Sequence, residues 1–261
     1  MKNAPRLIGM VHLLPLAGSP RYGGGMNAVL DAVIRDAKAL REGGVDAIMI
    51  ENFGDVPFFK SDVPPATLAA ITRAATTEAD TLAGEVPFGI NVLRNDGRSA
   101  IAVAAATGAS FVRINVLSGA RVTDQGVIEG DAANVLRDRR QFGAEHVQIW
   151  ADVDVKHSAP LASRPLAEET ADTLHRGLAD ALVVSGGGTG LPTDPAKVQA
   201  VRDAAGPDVP IYIGSGATPD SAADLLKHAT GLIAGTWIKR DGKVDAPVDP
   251  DRVRRMVEAT R

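Results

Sequence analysis

The chain has 261 residues, of which 45% are hydrophobic and 23% charged, with a formal net charge of −4. That composition is ordinary for a globular protein, and the length suffices for one large domain or two small ones. Mild acidity gives no reason to expect nucleic acid or an anionic membrane as partner, and the absence of cysteine excludes disulfides, thiolate catalysis and Cys-based metal sites.

In chain order, the first apolar segment is LIGMV (7–11). It reads as a strand and not as part of a secretory leader, because the surrounding stretch is short and contains His12 and Pro15. AVLDAVIRDAKALREGG (28–44) then sets Val29, Val33, Ala37 and Leu40 at helical spacing and stops on paired glycines. DAIMIEN (46–52) is the next strand, and a helix runs from Pro65 to Gly84. PFGINVL (87–93), a helix over 98–107 and FVRINV (111–116) follow. The polar segment SGARVTDQGVIEG (118–130) reads as an extended loop after the fourth strand, inserted over a barrel mouth. The helix DAANVLRDRRQFG leads to a fifth strand over 147–155. A helix at 166–177, the strand ALVVSG (181–186) and the helix DPAKVQAVRDAAG (194–206) continue the pattern. PIYIGSG (210–216) with a helix at 219–227, and GLIAGTWI (231–238) with DPDRVRRMVEAT (249–260), complete it. The densest basic pieces, RDRR at 137–140 and RVRR at 252–255, read as solvated helix faces.

These are eight strand–helix units, each strand apolar enough to be covered on both faces as parallel strands are. Eight units in this length predict a closed (β/α)8 barrel, with residues 1–261 forming one domain because no Pro-, Gly- and Ser-rich linker divides them. The competing architecture, an open doubly wound sheet, calls for a glycine-rich loop directly after the first strand. MVHLLPLAGSP stands there instead, and the glycine-rich turns come late. No run reaches the eighteen apolar residues of a membrane span, so membrane insertion is not expected and a cytoplasmic location is.

Function in such a barrel collects where strands end and βα loops begin. Those positions hold His12, Glu51, Asn91, Arg113, Asn115, Asp152, Ser185, Gly214 and Gly235, polar or small where core periodicity alone would select Val or Ile. Hydrogen-bonded plugs at the barrel rim are the plain alternative. In WADVDVKH (150–157) the period of two places Asp152, Asp154 and Lys156 on one face, expected to point into the mouth. With Glu51 and His12 they are the candidate acid/base groups. Lys156 is open to three roles: Schiff-base nucleophile, electrostatic or proton-donating partner of a developing enolate, or salt-bridge partner. Two carboxylates on its own face argue for a charged ammonium and against the nucleophile.

Arg113 suits an anionic substrate group because it stays charged, and Asn91 and Asn115 suit a hydroxyl or carbonyl. Ser185-Gly186-Gly187-Gly188-Thr189-Gly190, Gly214-Ser215-Gly216 and Gly235-Thr236 end the last three strands. Glycine lets backbone N–H groups converge on an anion, and the loops after the last two strands are the usual phosphate site of such barrels. These turns therefore predict a phosphate cradle, against the alternative that glycine serves only the turn conformation. A divalent metal is possible, with Glu51, Asp152 and His157 as candidate ligands, although no local ligand motif occurs.

The segments VHLLPLAGSPRY, IMIENFGDVPF, FGINVLRND, FVRINV, ADVDVKH, VVSGGGTG and IGSGAT together resemble the BtpA family over nearly the whole chain. The resemblance implies a ribulose-phosphate-binding type of (β/α)8 barrel, a group of isomerases, aldolases, synthases and decarboxylases of phosphorylated small molecules. It assigns no reaction, since the family name rests on a role in photosystem I biogenesis. Asp154-Val-Lys156 is also similar to the Asp-x-Lys-x-x-Asp string of phosphate-substrate decarboxylases, but Ala159 stands where the second Asp would be. The expected function is an enzyme acting on a small phosphorylated sugar or related metabolite, of isomerase or aldolase/lyase type. The alternatives are a non-catalytic assembly protein and a metal-dependent hydrolase. A homo-oligomer is compatible with the sequence.

Overall fold

The structure is a computed structural model that describes residues 4–188 and 191–261. Eight parallel strands close into a barrel: β1 (Leu7–His12), β2 (Ala47–Glu51), β3 (Phe88–Asn91), β4 (Phe111–Ile114), β7 (Gln148–Val153), β9 (Ala181–Val184), β10 (Ile211–Ile213) and β11 (Gly231–Ala234). Closure is made by β1, which pairs with β2 on one side and with β11 on the other. The expected barrel is therefore present.

Eight helices return the chain between strands: α1 (Met26–Gly43), α2 (Pro65–Leu82), α3 (Gly97–Thr107), α4 (Ala132–Gln141), α5 (Leu166–His175), α6 (Pro195–Ala205), α7 (Pro219–Leu225) and α8 (Pro250–Thr260). Their boundaries follow sequence chemistry. Asp96, Asp194, Thr218 and Asp249 accept hydrogen bonds from the first-turn N–H groups of α3, α6, α7 and α8. Gly44 and Gly108 close α1 and α3 in the left-handed conformation.

Strand alternation divides the apolar residues into two cores. Ile48, Ile50, Ile90, Val112, Ile149, Leu182, Ile213 and Leu232 face outward into the cluster shared with the helices. Ile8, Met10, Met49, Phe111, Trp150, Val183, Tyr212 and Ile233 face inward and fill the barrel. Inside, Trp150 lies between Phe111 and Tyr212, with ring centroids 3.9 and 4.0 Å away. The same alternation then carries one further inward residue per strand to the carboxyl-terminal end, and there the side chains become polar or vanish.

The polar segment 118–130 is not an irregular loop. It forms the hairpin β5 (Ala120–Thr123) and β6 (Gly126–Glu129), and β8 (Ser158–Pro160) adds to β5 to complete a three-stranded antiparallel sheet. Arg121, 5% exposed, fastens this sheet by hydrogen bonds to Ser158 Oγ (2.6 Å) and Glu169 (3.2 Å) and an ion pair with Asp154. At the far end of the chain a buried pair, Lys239 Nζ to Asp36 Oδ2 at 3.1 Å, ties the segment after β11 to α1. Among the described residues, no helix is long and apolar enough to cross a membrane.

Candidate active site at the barrel mouth

The inward residues that end the strands are His12, Glu51, Asn91, Arg113, Asp152, Ser185, Gly214 and Gly235, and they form one layer above the aromatic stack. Arg113 is the centre of it. Its guanidinium donates to both oxygens of Asp152 at 2.8 Å, and both side chains are almost wholly removed from water. Asn115 Nδ2 adds a third donor to Asp152 at 3.1 Å. A planar guanidinium meeting a planar carboxylate in two parallel bonds is the strongest arrangement such a pair can make. Gly214 makes room for it: a Cβ there would lie 2.9 Å from the Arg113 guanidinium and 2.5 Å from Ser185 Oγ.

Glu51 is 8% exposed and accepts from Asn91 Nδ2 at 2.6 Å. Its other oxygen lies 3.9 Å from His12 Nε2. His12 stacks on Phe53 with ring centroids 4.7 Å apart. Burial, aided by the positive charges of Lys239 and Lys156, pushes the His12 imidazole down to about 3, so it is neutral over the physiological range.

Lys156 sits above this layer with no hydrogen bond or ion pair through its ammonium group among the described residues. Burial and the adjacent Arg113 push its pKa down to about 8, against the opposing pull of Glu51 and Asp152. The alternation expected for 152, 154 and 156 fails at its middle member. Strand β7 ends at Val153, and Asp154 adopts a positive φ of 50°. Its carboxylate turns to Lys197 Nζ (2.7 Å) and Arg121, away from the mouth. Of the two carboxylates expected to keep Lys156 charged, Asp154 is held by the supporting sheet, whereas Asp152, although bonded to Arg113, still favours the ammonium together with Glu51.

Two connected spaces open over the layer. The larger, about 460 Å3, is lined by the polar residues Arg94, Arg113, Lys156, Glu51, Asn115, Asp124 and His157 and by the apolar residues Phe53, Val56, Phe58 and Leu93. The smaller, about 40 Å3, continues from Glu51, Arg113 and Lys156 to Gly214, Ser215, Gly216, Gly235 and Thr236. Arg94 was not legible as a site residue. It lies beyond the end of β3, is 5% exposed, and reaches across to donate to the Lys156 carbonyl at 2.7 Å. Its only signal in the sequence is a charged residue directly after the apolar pair Val92-Leu93.

The glycine turns separate into two groups. Gly216 and Thr236 turn toward the smaller space, and their N–H groups bond to no other described residue. The Gly214 N–H is already taken by the Val184 carbonyl of the barrel ladder. Gly186, Gly187 and Gly188 border neither space. Gly186 instead lies under Pro192, whose carbonyl oxygen would be 2.3 Å from a Cβ at that position, and Gly188 lies beside His157. Thr189 and Gly190, the end of that run, lie outside the described residues.

The metal expectation meets the same geometry. Asp152 is engaged by Arg113 and Asn115, and Glu51 is bonded to Asn91. His157 adopts a positive φ of 56° at the outer edge, and among the described residues no group of three or more His, Asp or Glu side chains could hold a metal ion. Three buried polar atoms of the mouth have no partner among the described residues: Asn115 Oδ1, Ser185 Oγ and Ser215 Oγ. Buried groups of this kind are ordinarily satisfied, so their concentration at one place sets the mouth apart from the rest of the described interior.

Known proteins extend the picture. An uncharacterised protein of Thermococcus kodakarensis is 45% identical over 98% of this chain and 95% of its own. The photosystem I biogenesis protein BtpA of Synechocystis is 44% identical over 97% of this chain and 87% of its own. Among solved structures, phosphoribosyl anthranilate isomerase from Thermus thermophilus superposes with a TM-score of 0.57 at 12% identity, covering 97% of each chain, which is a likeness of fold. The model of the BtpA family matches residues 3–261, and with two relatives above 40% identity over nearly the full length, the chain belongs to that family.

Proposed function

We propose that this protein is an enzyme acting on a small phosphorylated metabolite, by an isomerase or aldolase/lyase type of reaction. The observation that carries the reading is the placement of Arg94, Arg113 and Lys156 around one space at the carboxyl-terminal mouth of a (β/α)8 barrel. Arg113 is paired with Asp152, and Glu51 and Asp124 also border the space, so Arg94 and Lys156 are the lining cations without an ion pair among the described residues. A phosphoryl group would accept hydrogen bonds from both, with the amides of Gly216 and Thr236, unbonded among the described residues, as further donors.

The chemistry follows from Glu51 and from Lys156, whose ammonium serves both the phosphoryl group and the reacting carbonyl. Glu51 is the base: it takes a proton from carbon beside a substrate carbonyl, and the C–H electron pair moves onto that carbonyl as an enolate. Lys156, charged below about 8, stabilises the enolate oxygen. Return of the proton to the former carbonyl carbon, with the proton of the adjacent hydroxyl passing to the enolate oxygen as that hydroxyl becomes the new carbonyl, completes an isomerisation, and the same enolate is the product side of an aldol-type cleavage. His12, neutral throughout, packs beside Glu51 and takes up no further proton.

The test is incubation of the protein with phosphorylated aldoses and ketoses in deuterated water, followed by proton and phosphorus NMR. Deuterium entering beside the carbonyl with wild type, and not with Lys156→Ala or Glu51→Gln of unchanged melting temperature, supports the reading. No exchange and no turnover with any phosphorylated carbonyl compound overturns it. The printed name of the Synechocystis relative favours a second reading, assembly or stabilisation of another complex. That reading predicts that the same two substitutions leave the cellular phenotype of a deletion strain fully complemented.

A further inference from the structure

Part of the wall of the larger space offers no hydrogen-bonding side chain. Phe53, Val56, Phe58 and Leu93 line it, all apolar and all presented by the segments that follow β2 and β3. A hydroxyl-rich sugar phosphate would lay its hydroxyls against this wall, where each loses water and gains no partner. A second space of about 370 Å3 lies immediately behind, sharing Phe58 and Leu93 as its boundary with the first. It too is lined mainly by apolar groups, among them Ala17, Pro57, Phe59 and Val63.

One ionisable group enters that second space. Asp55 accepts the Leu16 N–H at 2.8 Å and Asn52 Nδ2 at 3.2 Å, one bond to each oxygen, which leaves each oxygen able to accept another. The arrangement is a largely apolar compartment with one carboxylate in its wall, next to a space lined by cations. Together the two spaces exceed what a phosphorylated triose or pentose fills, and apolar enclosure with few polar fixtures is how proteins bind flat organic groups.

We infer that the substrate is amphipathic: a phosphoryl head held by Arg94, Arg113 and Lys156, and a planar apolar group, aromatic or heterocyclic, seated against Phe53, Phe58 and Leu93. The inference rests on the phosphorylated-substrate reading above and adds the class of the other half of the molecule. Phe58 is the specificity-determining residue, because it contributes to both compartments and stands between them.

Isothermal titration of the full chain with three probes tests this: inorganic phosphate, ribose 5-phosphate and phenyl phosphate. Phenyl phosphate is expected to bind at least about tenfold tighter than the other two, from burial of one ring. Phe58→Ala is expected to erase that advantage and leave inorganic phosphate affinity within about twofold, its melting temperature serving as the check on folding. Ribose 5-phosphate binding as tightly as phenyl phosphate, or tighter, overturns the inference and leaves the phosphorylated-substrate reading standing. Failure of all three probes to bind overturns both. The comparison of probes on wild type decides the matter even where Phe58→Ala does not fold.

Discussion

Lys156 is the residue on which the chemistry turns, and its environment sets a threshold inside the working range. Burial and Arg113 disfavour the ammonium, so its pKa falls to about 8. Below that value the group is charged and attracts an anion; above it the attraction is lost. Phosphomonoesters, whose second ionisation lies at about 6, remain dianionic across this window, so only the protein titrates. Affinity for a phosphorylated ligand should therefore fall by up to about tenfold per pH unit above the Lys156 threshold, and Lys156→Met should remove the dependence. Titration calorimetry between about pH 7 and pH 9.5 measures both. Asp152 has the opposite character. Both its oxygens are committed to Arg113 and it is 5% exposed, so it positions the guanidinium and does not move protons. Asp152→Ala strands a buried Arg113 and should cost about 3–5 kcal/mol in denaturant unfolding. Sequence periodicity placed Asp152 correctly and Asp154 incorrectly for one physical reason. Alternation persists only while the backbone is extended, and the positive φ at Asp154 ends it one residue beyond the strand.

Elements were legible to within a few residues because each strand carries its own apolar pair and most helices carry a cap or a glycine stop. The segment 118–130 was not, since a hairpin that lies on the barrel rim needs few apolar residues, and Ile128 is the one side chain of β5–β6 that joins the small core with Val116 and Val155. What holds it is Arg121, whose partners lie 37 and 48 residues away and are invisible to local pattern. Arg121→Ala should raise hydrogen exchange at 118–130 and 158–160 by more than about tenfold while the barrel strands remain protected. Exchange mass spectrometry resolves these segments, and uniform loosening would show instead that Arg121 supports the whole barrel. Helix α2 contains a second test. Glu78 is wholly buried, its two oxygens have no partner among the described residues, and burial pushes its carboxyl up to about 8. The folded state thus keeps a proton that the unfolded chain releases near the ordinary value of 4.5. Its contribution to stability is complete below 4.5 and is lost as pH rises to about 8. Glu78→Gln should flatten that decline, matching wild type near pH 5 and exceeding it near pH 9 by on the order of 2–4 kcal/mol in urea unfolding.

At the scale of the molecule, the site exists because one periodicity runs through the whole barrel. Each strand turns apolar residues inward until its last position, and closure of the sheet brings those last positions from eight separate places in the sequence into one layer. This is why the ring of candidates could be read from single strands, whereas the Arg113–Asp152 bond, the reach of Arg94 and the apolar wall of Phe53 and Phe58 could not. They depend on which strands become neighbours and how their loops fold over. Trp150 connects the two levels: it is fully buried, stacks between Phe111 and Tyr212, and precedes Asp152 by one inward step on the same strand. Removing the indole would leave the buried ion pair without its floor. Trp150→Ala should cost about 3–5 kcal/mol, as large core truncations do. It should also weaken phosphate binding, because a guanidinium free to sink into the void no longer faces the mouth. Trp150→Phe keeps a stacked ring, so it should lose less stability and retain most of the affinity. Denaturant unfolding and phosphate titration on both variants separate the outcomes. Loss of stability with unchanged affinity in Trp150→Ala would mean that Asp152 and Asn115 alone hold Arg113 in place, and that the barrel interior is only a support for the site above it.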